Sequence, residues 1–323
     1  MEKPKFDRPA INRINAGVPD KFGMKTNVRP ITEIDNNSIK ELLGLFGSPL
    51  YILSEKTIRE TYREAASAFT TRYPKVQFAW SYKTNYMNAV CRVYHQEGSW
   101  AEVVSGFEYE KAIANGVPGN KIIFNGPDKS HDDLLLAIQN GSLIHIDHFD
   151  ELYEIIDIVG KDGEKGSEKA KVAIRINMDT GIYPLWDRFG FNYENGEAWA
   201  AVNKIMAADN IELIGLHTHI GTYIMTPTAY VVATSKLAAL AVRIDRKFDH
   251  AIKYIDVGGG FASKNTLKGA YLPGSDTCPS FDDYAEAITG ALINSDIRHD
   301  RMPTLFLETG RALIDDAGYI AGT

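Results

Sequence analysis

The chain has 323 residues, of which 44% are hydrophobic, 24% charged and 11% aromatic, the make-up of an ordinary globular protein, which excludes disorder, collagen and coiled coil. Lys and Arg number 35 against 42 Asp and Glu, a net charge of −7, so there is no basic footprint for nucleic acid or an anionic membrane; no run of about 18 apolar residues could span a bilayer. Two cysteines, Cys91 and Cys278, are too few for a disulfide framework, and with a polar N-terminus they point to a cytoplasmic protein doing small-molecule chemistry.

Residues 1–48, rich in Pro, Asn, Lys and Arg and weakly periodic, read as an N-terminal arm separate from the main fold. From Glu55 to Tyr73, Ile58, Tyr62, Ala65, Ala66 and Phe69 recur on one face of a helix that Pro74 ends. The rhythm then changes. Short β-rich runs at Val76–Tyr82, Trp100–Val104, Ile122–Phe124, Leu143–Ile146, Val172–Ile176, Ile214–His219, Tyr254–Val257 and Leu305–Leu307 alternate with helical stretches at Gly106–Asn115, Asp132–Asn140, Asp150–Val159, Gly196–Ala208, Thr228–Phe248 and Asp282–Ile293. Some eight β-then-α repeats predict a (β/α)₈ barrel over residues 49–312. Gly160–Lys169 reads as a solvated loop without function.

The active site of such a barrel gathers at the C-terminal ends of its strands. There the sequence places Lys83, Glu102 with Ser105, Asn125, His145 with Asp147, Arg175 with Asn177, His217 with His219, Gly258-Gly259-Gly260, and Glu308 with Gly310 and Arg311. Buried polar groups cost free energy unless satisfied, so this clustering points to an enzyme. Lys83 would sit at the mouth of the first strand, where desolvation lowers its pKa and frees a neutral amine to attack a carbonyl; the alternative is a surface lysine on a loop. Glycines after strand seven, with Gly310 and Arg311 after strand eight, suit a phosphate, although three glycines also make an ordinary tight turn. His217 and His219 point to the same face of a strand, which allows a metal, but no third ligand is apparent; one ring stacked on an aromatic ligand and one satisfied interior histidine is the preferred reading, with no metal. Glu308 requires a cation or a protonated ring nitrogen. An amine, a phosphate cradle, a flat ring and a carboxylate for a pyridinium together describe pyridoxal 5′-phosphate.

The chain resembles the fold type III pyridoxal-phosphate decarboxylases, the family of diaminopimelate, ornithine and arginine decarboxylases, and within it the diaminopimelate branch. Five motifs in order carry the likeness: Ser81-Tyr82-Lys83-Thr84-Asn85, Ala101-Glu102-Val103-Val104-Ser105, Gly215 through Thr222, Asp256 through Phe261, and Glu308-Thr309-Gly310-Arg311. The resemblance implies an alanine racemase-like barrel that decarboxylates a diamino or basic amino acid through a Schiff base and a quinonoid intermediate. It assigns Lys83 to the Schiff base, His219 to ring stacking, Thr222, Gly258, Gly259, Gly260, Gly310 and Arg311 to the phosphate, Glu308 to the pyridinium, and Glu102 and Arg175 to support from behind. Glu102, Thr222 and Thr309 stand where the family usually has Asp, Ser and Pro. It also implies a homodimer with shared active sites and a C-terminal β-domain, of which residues 313–323 would be a stub and to which the arm normally belongs. Alternatives are an amino-acid racemase of the same fold, expected to place Arg against the ring nitrogen, and a non-catalytic barrel that carries the cofactor.

Overall fold

The structure, a computed structural model, describes residues 31–161, 169–264 and 274–323. Most of the arm and most of the Gly160–Lys169 loop lie outside these residues. Eight parallel strands close into a barrel: β1 (Val76–Ser81), β2 (Trp100–Val103), β3 (Ile122–Phe124), β4 (Leu143–Ile146), β5 (Ala170–Asn177), β6 (Ile211–His217), β7 (Tyr254–Asp256) and β8 (Thr304–Leu307). Closure comes from β8 pairing with β1, where Leu305 faces Val76, and from β5 pairing with β6. The helices named below are α1 (Glu55–Thr70), α2 (Asn88–Gln96), α3 (Gly106–Ala114), α4 (His131–Gln139), α5 (Phe149–Lys161), α6 (Glu197–Met206), α7 (Thr228–Phe248) and α8 (Phe281–Ile293).

Local chemistry sets the boundaries. Ser130 and Ser280 open α4 and α8 with capping boxes, each paired with the Asp three residues on, and Ser54 accepts the backbone N–H of Thr57 at the start of α1. The Asn-Gly pairs after α3 and α4 stop those helices, with Gly116 and Gly141 at φ +85° and +67°. Two helices of eight or more residues escaped the periodicity reading. Helix α2 buries Val90, Cys91 and Tyr94, and Ile39–Phe46 forms an amphipathic helix with no buried residue.

Side-chain alternation divides the strands into two layers. One set, including Ala101, Val103, Ile122, Phe124, Ile144, Ile146, Val172, Ile174, Leu216, Ile255 and Leu305, packs in the large core under the helices. The opposite set closes the barrel interior with Ala79, Ile123, Leu143, Ala173, Ile214, Tyr254 and Phe306. Continuing this inner alternation toward the C-terminal ends reaches Ser81, Asn125, His145, Arg175, Asp256 and Glu308. In β6 the register with β5 shifts between Leu213 and Gly215; a Cβ on Gly215 would collide with the Tyr254 ring, so glycine leaves room for that ring in the interior.

Leu50–Leu53 pairs antiparallel with Gly318–Ala321 in a separate two-stranded sheet, and Leu313, Ile314 and Ala317 bury their side chains in the barrel's outer core. No helix among the described residues is long and apolar enough to cross a membrane.

Candidate active site

Two adjoining cavities open at the C-terminal face. One of 590 Å³ is lined by Ser81, Lys83, Thr84, His219, Thr222, Tyr223, Gly259, Gly260, Glu308, Gly310, Arg311 and others; a second of 310 Å³ shares Lys83, His219, Thr222 and Glu308 and adds Glu102, Asn125, Arg175, Trp186, Phe189 and His217. Thus ten of the eleven residues to which the resemblance assigns roles line this space. Gly258 lies behind the wall: a Cβ there would sit 2.6 Å from the Thr218 carbonyl oxygen. Ser105 is not a lining residue but caps α3, accepting the Glu108 N–H, and Asn177 donates to the carbonyls of Phe189 and Gly190, tying down the segment that brings Phe189 to the cavity. Sequence reading missed Tyr223, Trp186 and Phe189 and named Ser81 within a motif without giving it a role; Ser81 shares the inner face of β1, a signal it could have used.

Lys83 corrects an expectation. Its side chain is half-exposed at the mouth, and Nζ donates to Glu102 Oε1 at 2.8 Å and Oε2 at 2.7 Å. Burial pulls the amine's pKa down, but the carboxylates of Glu102 and Glu308 outweigh it and hold the pKa above its ordinary value. Lys83 is therefore an ammonium kept by a carboxylate, not the desolvated neutral amine predicted, because Glu102 on the neighbouring strand supplies the counter-charge. Glu102 is fully buried and also accepts from Ser81 Oγ at 2.5 Å.

Glu308, 5% exposed, accepts from Asn125 Nδ2 at 2.6 Å and has His217 Nε2 3.4 Å from its other oxygen; His145 Nδ1 stands 4.0 Å away. The His145 and His217 rings lie 4.7 Å apart, and His145 Nε2 meets Tyr254 Oη at 2.9 Å. Burial drives both imidazoles well below their ordinary pKa, reinforced by each other's proximity at His145 and by Arg175 at His217. Neutral rings follow. His219 is likewise lowered, to about 3, by burial and then Lys83. Asp256 Oδ1 accepts the Gly258 N–H at 2.8 Å; burial and then the nearby Glu308 raise its pKa well above the ordinary carboxylate value. Arg175 has Nε 3.8 Å from Asp147 Oδ1 and its guanidinium 4.8 Å from the Phe189 ring centroid. His145, His217 and Glu308 also offer ligand atoms within 4.8 Å of one another, a grouping that the sequence, attending to His217 and His219, did not suggest.

Part of the cavity wall is glycine backbone. Gly260 has φ +96°, and a Cβ on Gly259 or Gly260 would strike the carbonyl oxygen of Glu308 or Gly221. Arg311 stands 5.7 Å from the Tyr223 ring. This is a cavity with an amine at its mouth, a carboxylate on its floor and backbone open to an anion.

The chain belongs to the pyridoxal-dependent decarboxylase family: the profile of its pyridoxal-binding domain matches residues 55–315. Its cofactor is accordingly pyridoxal phosphate. Among similar proteins, the diaminopimelate decarboxylase of Halalkalibacterium halodurans is 30% identical over 91% of this chain and 67% of its own length, and that of Bacillus methanolicus is 29% identical over 91% and 68%. The crystal structure of diaminopimelate decarboxylase from Methanocaldococcus jannaschii superposes with a TM-score of 0.80 at 28% identity, covering 89% of this chain and 66% of that one; a second structure of that enzyme holds L-lysine. The chain spans about two thirds of the length of these relatives.

Proposed function

We propose that this barrel holds pyridoxal 5′-phosphate on Lys83 and serves the decarboxylation of a diamino acid of the diaminopimelate type. The observation that carries the reading is the placing of the Lys83 amine, the buried Glu308 carboxylate and the bare glycine wall around one cavity. The residues fit the group. Lys83 offers the amine its aldehyde needs; Gly258, Gly259, Gly260 and Gly310 offer close backbone approach to a phosphate, and Arg311 and Thr222 add charge and a hydroxyl. Glu308 offers a buried negative charge to a protonated ring nitrogen.

When bound, pyridoxal phosphate supplies an aldehyde for amines and a ring that accepts the electron pair released with carbon dioxide. The protein's own part is to bind and orient. Glu102 keeps a proton on Lys83 Nζ and fixes the amine at the mouth. His219, uncharged, presents a flat face, and Glu308, steadied by Asn125, favours a proton on the ring nitrogen and so a strong electron sink. Arg175 and Glu102 support the site from the barrel side.

The L-lysine held by the M. jannaschii enzyme supports a diamino acid, since lysine is what diaminopimelate becomes on losing carbon dioxide. The family resemblance supports a cytoplasmic homodimer with shared active sites. Titration of the chain with pyridoxal phosphate should develop a bound-cofactor absorbance, and borohydride reduction with peptide mapping should locate the label on Lys83. Carbon dioxide release from a panel of diamino acids tests the reaction. Loss of chirality without carbon dioxide release would instead support the racemase alternative.

A further inference from the structure

We propose that Asn125 is a positioning residue whose one amide nitrogen couples the carboxylate that holds Lys83 to the carboxylate on the cavity floor. The proposal rests on the reading of the site given above. Asn125 stands one residue beyond β3 and is 3% exposed; Nδ2 donates to Glu308 Oε1 at 2.6 Å and to Glu102 Oε1 at 3.1 Å. An amide nitrogen has two hydrogens, and here each goes to a different carboxylate. The reversed amide would press its oxygen against two carboxylate oxygens, so the chemistry selects this orientation.

The backbone holds Asn125 in place from both sides. Its N–H donates to the Val103 carbonyl at 2.8 Å, and the carbonyl of the next residue, Gly126, accepts from Lys129 Nζ at 2.7 Å. Lys129 also donates to the His145 carbonyl at 2.9 Å and pairs with Glu151 at 2.6 Å, both side chains buried. Glu151 in turn accepts the Asp147 N–H at 2.9 Å. This ion pair joins the turn after β3 to the end of β4, and neither partner lines the cavities.

Without a donor between them, two buried carboxylates repel and one takes up a proton. Protonation of Glu308 would remove the charge meant for the ring nitrogen; protonation of Glu102 would release Lys83. The other titratable and charged groups facing this pair are Lys83, Arg175, the imidazoles of His145, His217 and His219, Tyr254, Asp256 and Glu108. Among the described side chains, Asn125 is the one that donates a hydrogen bond to both carboxylates.

The test is titration of the full chain with pyridoxal phosphate, read by absorbance across about pH 6–9, where carboxylates with raised pKa titrate, with thermal melts of each apo variant alongside. Asn125→Asp keeps the shape and replaces the donor with a third acid. It should weaken binding about tenfold or more at the alkaline end, the worth of a hydrogen bond to a charged group, and the deficit should shrink as the pH falls and the added acid takes up a proton. Asn125→Ala should move the acid-side loss of binding to higher pH, because one carboxylate stays protonated longer. Should Asn125→Asp fail to fold, this shift alone decides. Wild-type affinity and pH profile in the variants, whatever happens to their melting temperatures, would overturn the proposal and leave the site reading standing. A wild-type chain that binds no cofactor would overturn the site reading, and the proposal with it.

Discussion

Lys83 and Glu102 meet in a two-point ion pair, the amine donating to both carboxylate oxygens. The lysine's elevated pKa depends first on this neighbour among the groups that raise it, so Glu102→Gln should bring it down. At neutral pH the apo variant should then capture pyridoxal phosphate faster, its rate-versus-pH curve displaced toward acid; an unmoved curve would show that Glu102 does not govern the amine. The sign for stability follows. A folded pKa above 10.5 means that the pair's contribution is complete below 10.5 and fades as the pH rises through the elevated value. The half-exposed lysine keeps that contribution small. Lys83→Ala should abolish the covalent cofactor absorbance altogether.

Glu308→Gln should weaken cofactor binding about tenfold, the worth of a charged partner for the ring nitrogen, while carbon dioxide release falls by about 10²-fold or more, the scale of losing one preorganised electrostatic partner. Full turnover in this variant would show that Glu308 has only a structural role.

The glycine wall separates strain from simple crowding. Gly260→Ala places a Cβ against the Gly221 carbonyl in a left-handed backbone at φ +96°, and should cost about 1 kcal/mol or more in unfolding free energy as well as cofactor affinity. Gly310→Ala meets the Thr84 side chain, at a φ of −107°, so crowding rather than left-handed backbone strain is what it adds. Its melting loss should be smaller than that of Gly260→Ala while affinity falls. Equal melting losses in the two variants would contradict this distinction.

Buried neutral histidines make the fold acid-sensitive. His95, His145, His217 and His219 all have folded pKa values below the ordinary 6.5, so the unfolded chain binds more protons as the pH falls. Stability should be greatest above pH 6.5 and fall beneath it, by up to about 1.4 kcal/mol per pH unit for each of His145, His217 and His219, whose folded values lie well below 6.5. His145→Gln should lower that slope by one histidine's share, measured by denaturant unfolding at successive pH values; an unchanged slope would show that His145 is already protonated in the folded state.

Much of the site was legible because alternation along a strand is a covalent fact. Once Ala79, Ile123 and Phe306 face inward, Ser81, Asn125 and Glu308 must face the same way two residues later. Strands Ile122–Phe124 and Leu143–Ile146 and helix Thr228–Phe248 agree with the sequence reading residue for residue. The helix Asn88–Gln96 was missed although Val90, Cys91 and Tyr94 carry a helical spacing, and Ile39–Phe46 was missed although Ile39, Leu42, Leu43 and Phe46 recur at i, i+3, i+4 and i+7; none of those four is buried among the described residues.

The sequence by itself determined the barrel, the order of its strands and the identities of the groups at their C-terminal ends, since apolar periodicity and motif spacing are local properties. Only the tertiary structure decided how those groups act on one another. Lys83 is charged because Glu102, nineteen residues away, ends the adjacent strand. Asn125 spans to Glu308 across 183 residues, and Leu50–Leu53 finds its partner in Gly318–Ala321. Protonation state and hydrogen-bond partnership depend on distances of a few ångströms through space, and the closing of the barrel, which brings β8 beside β1, sets those distances.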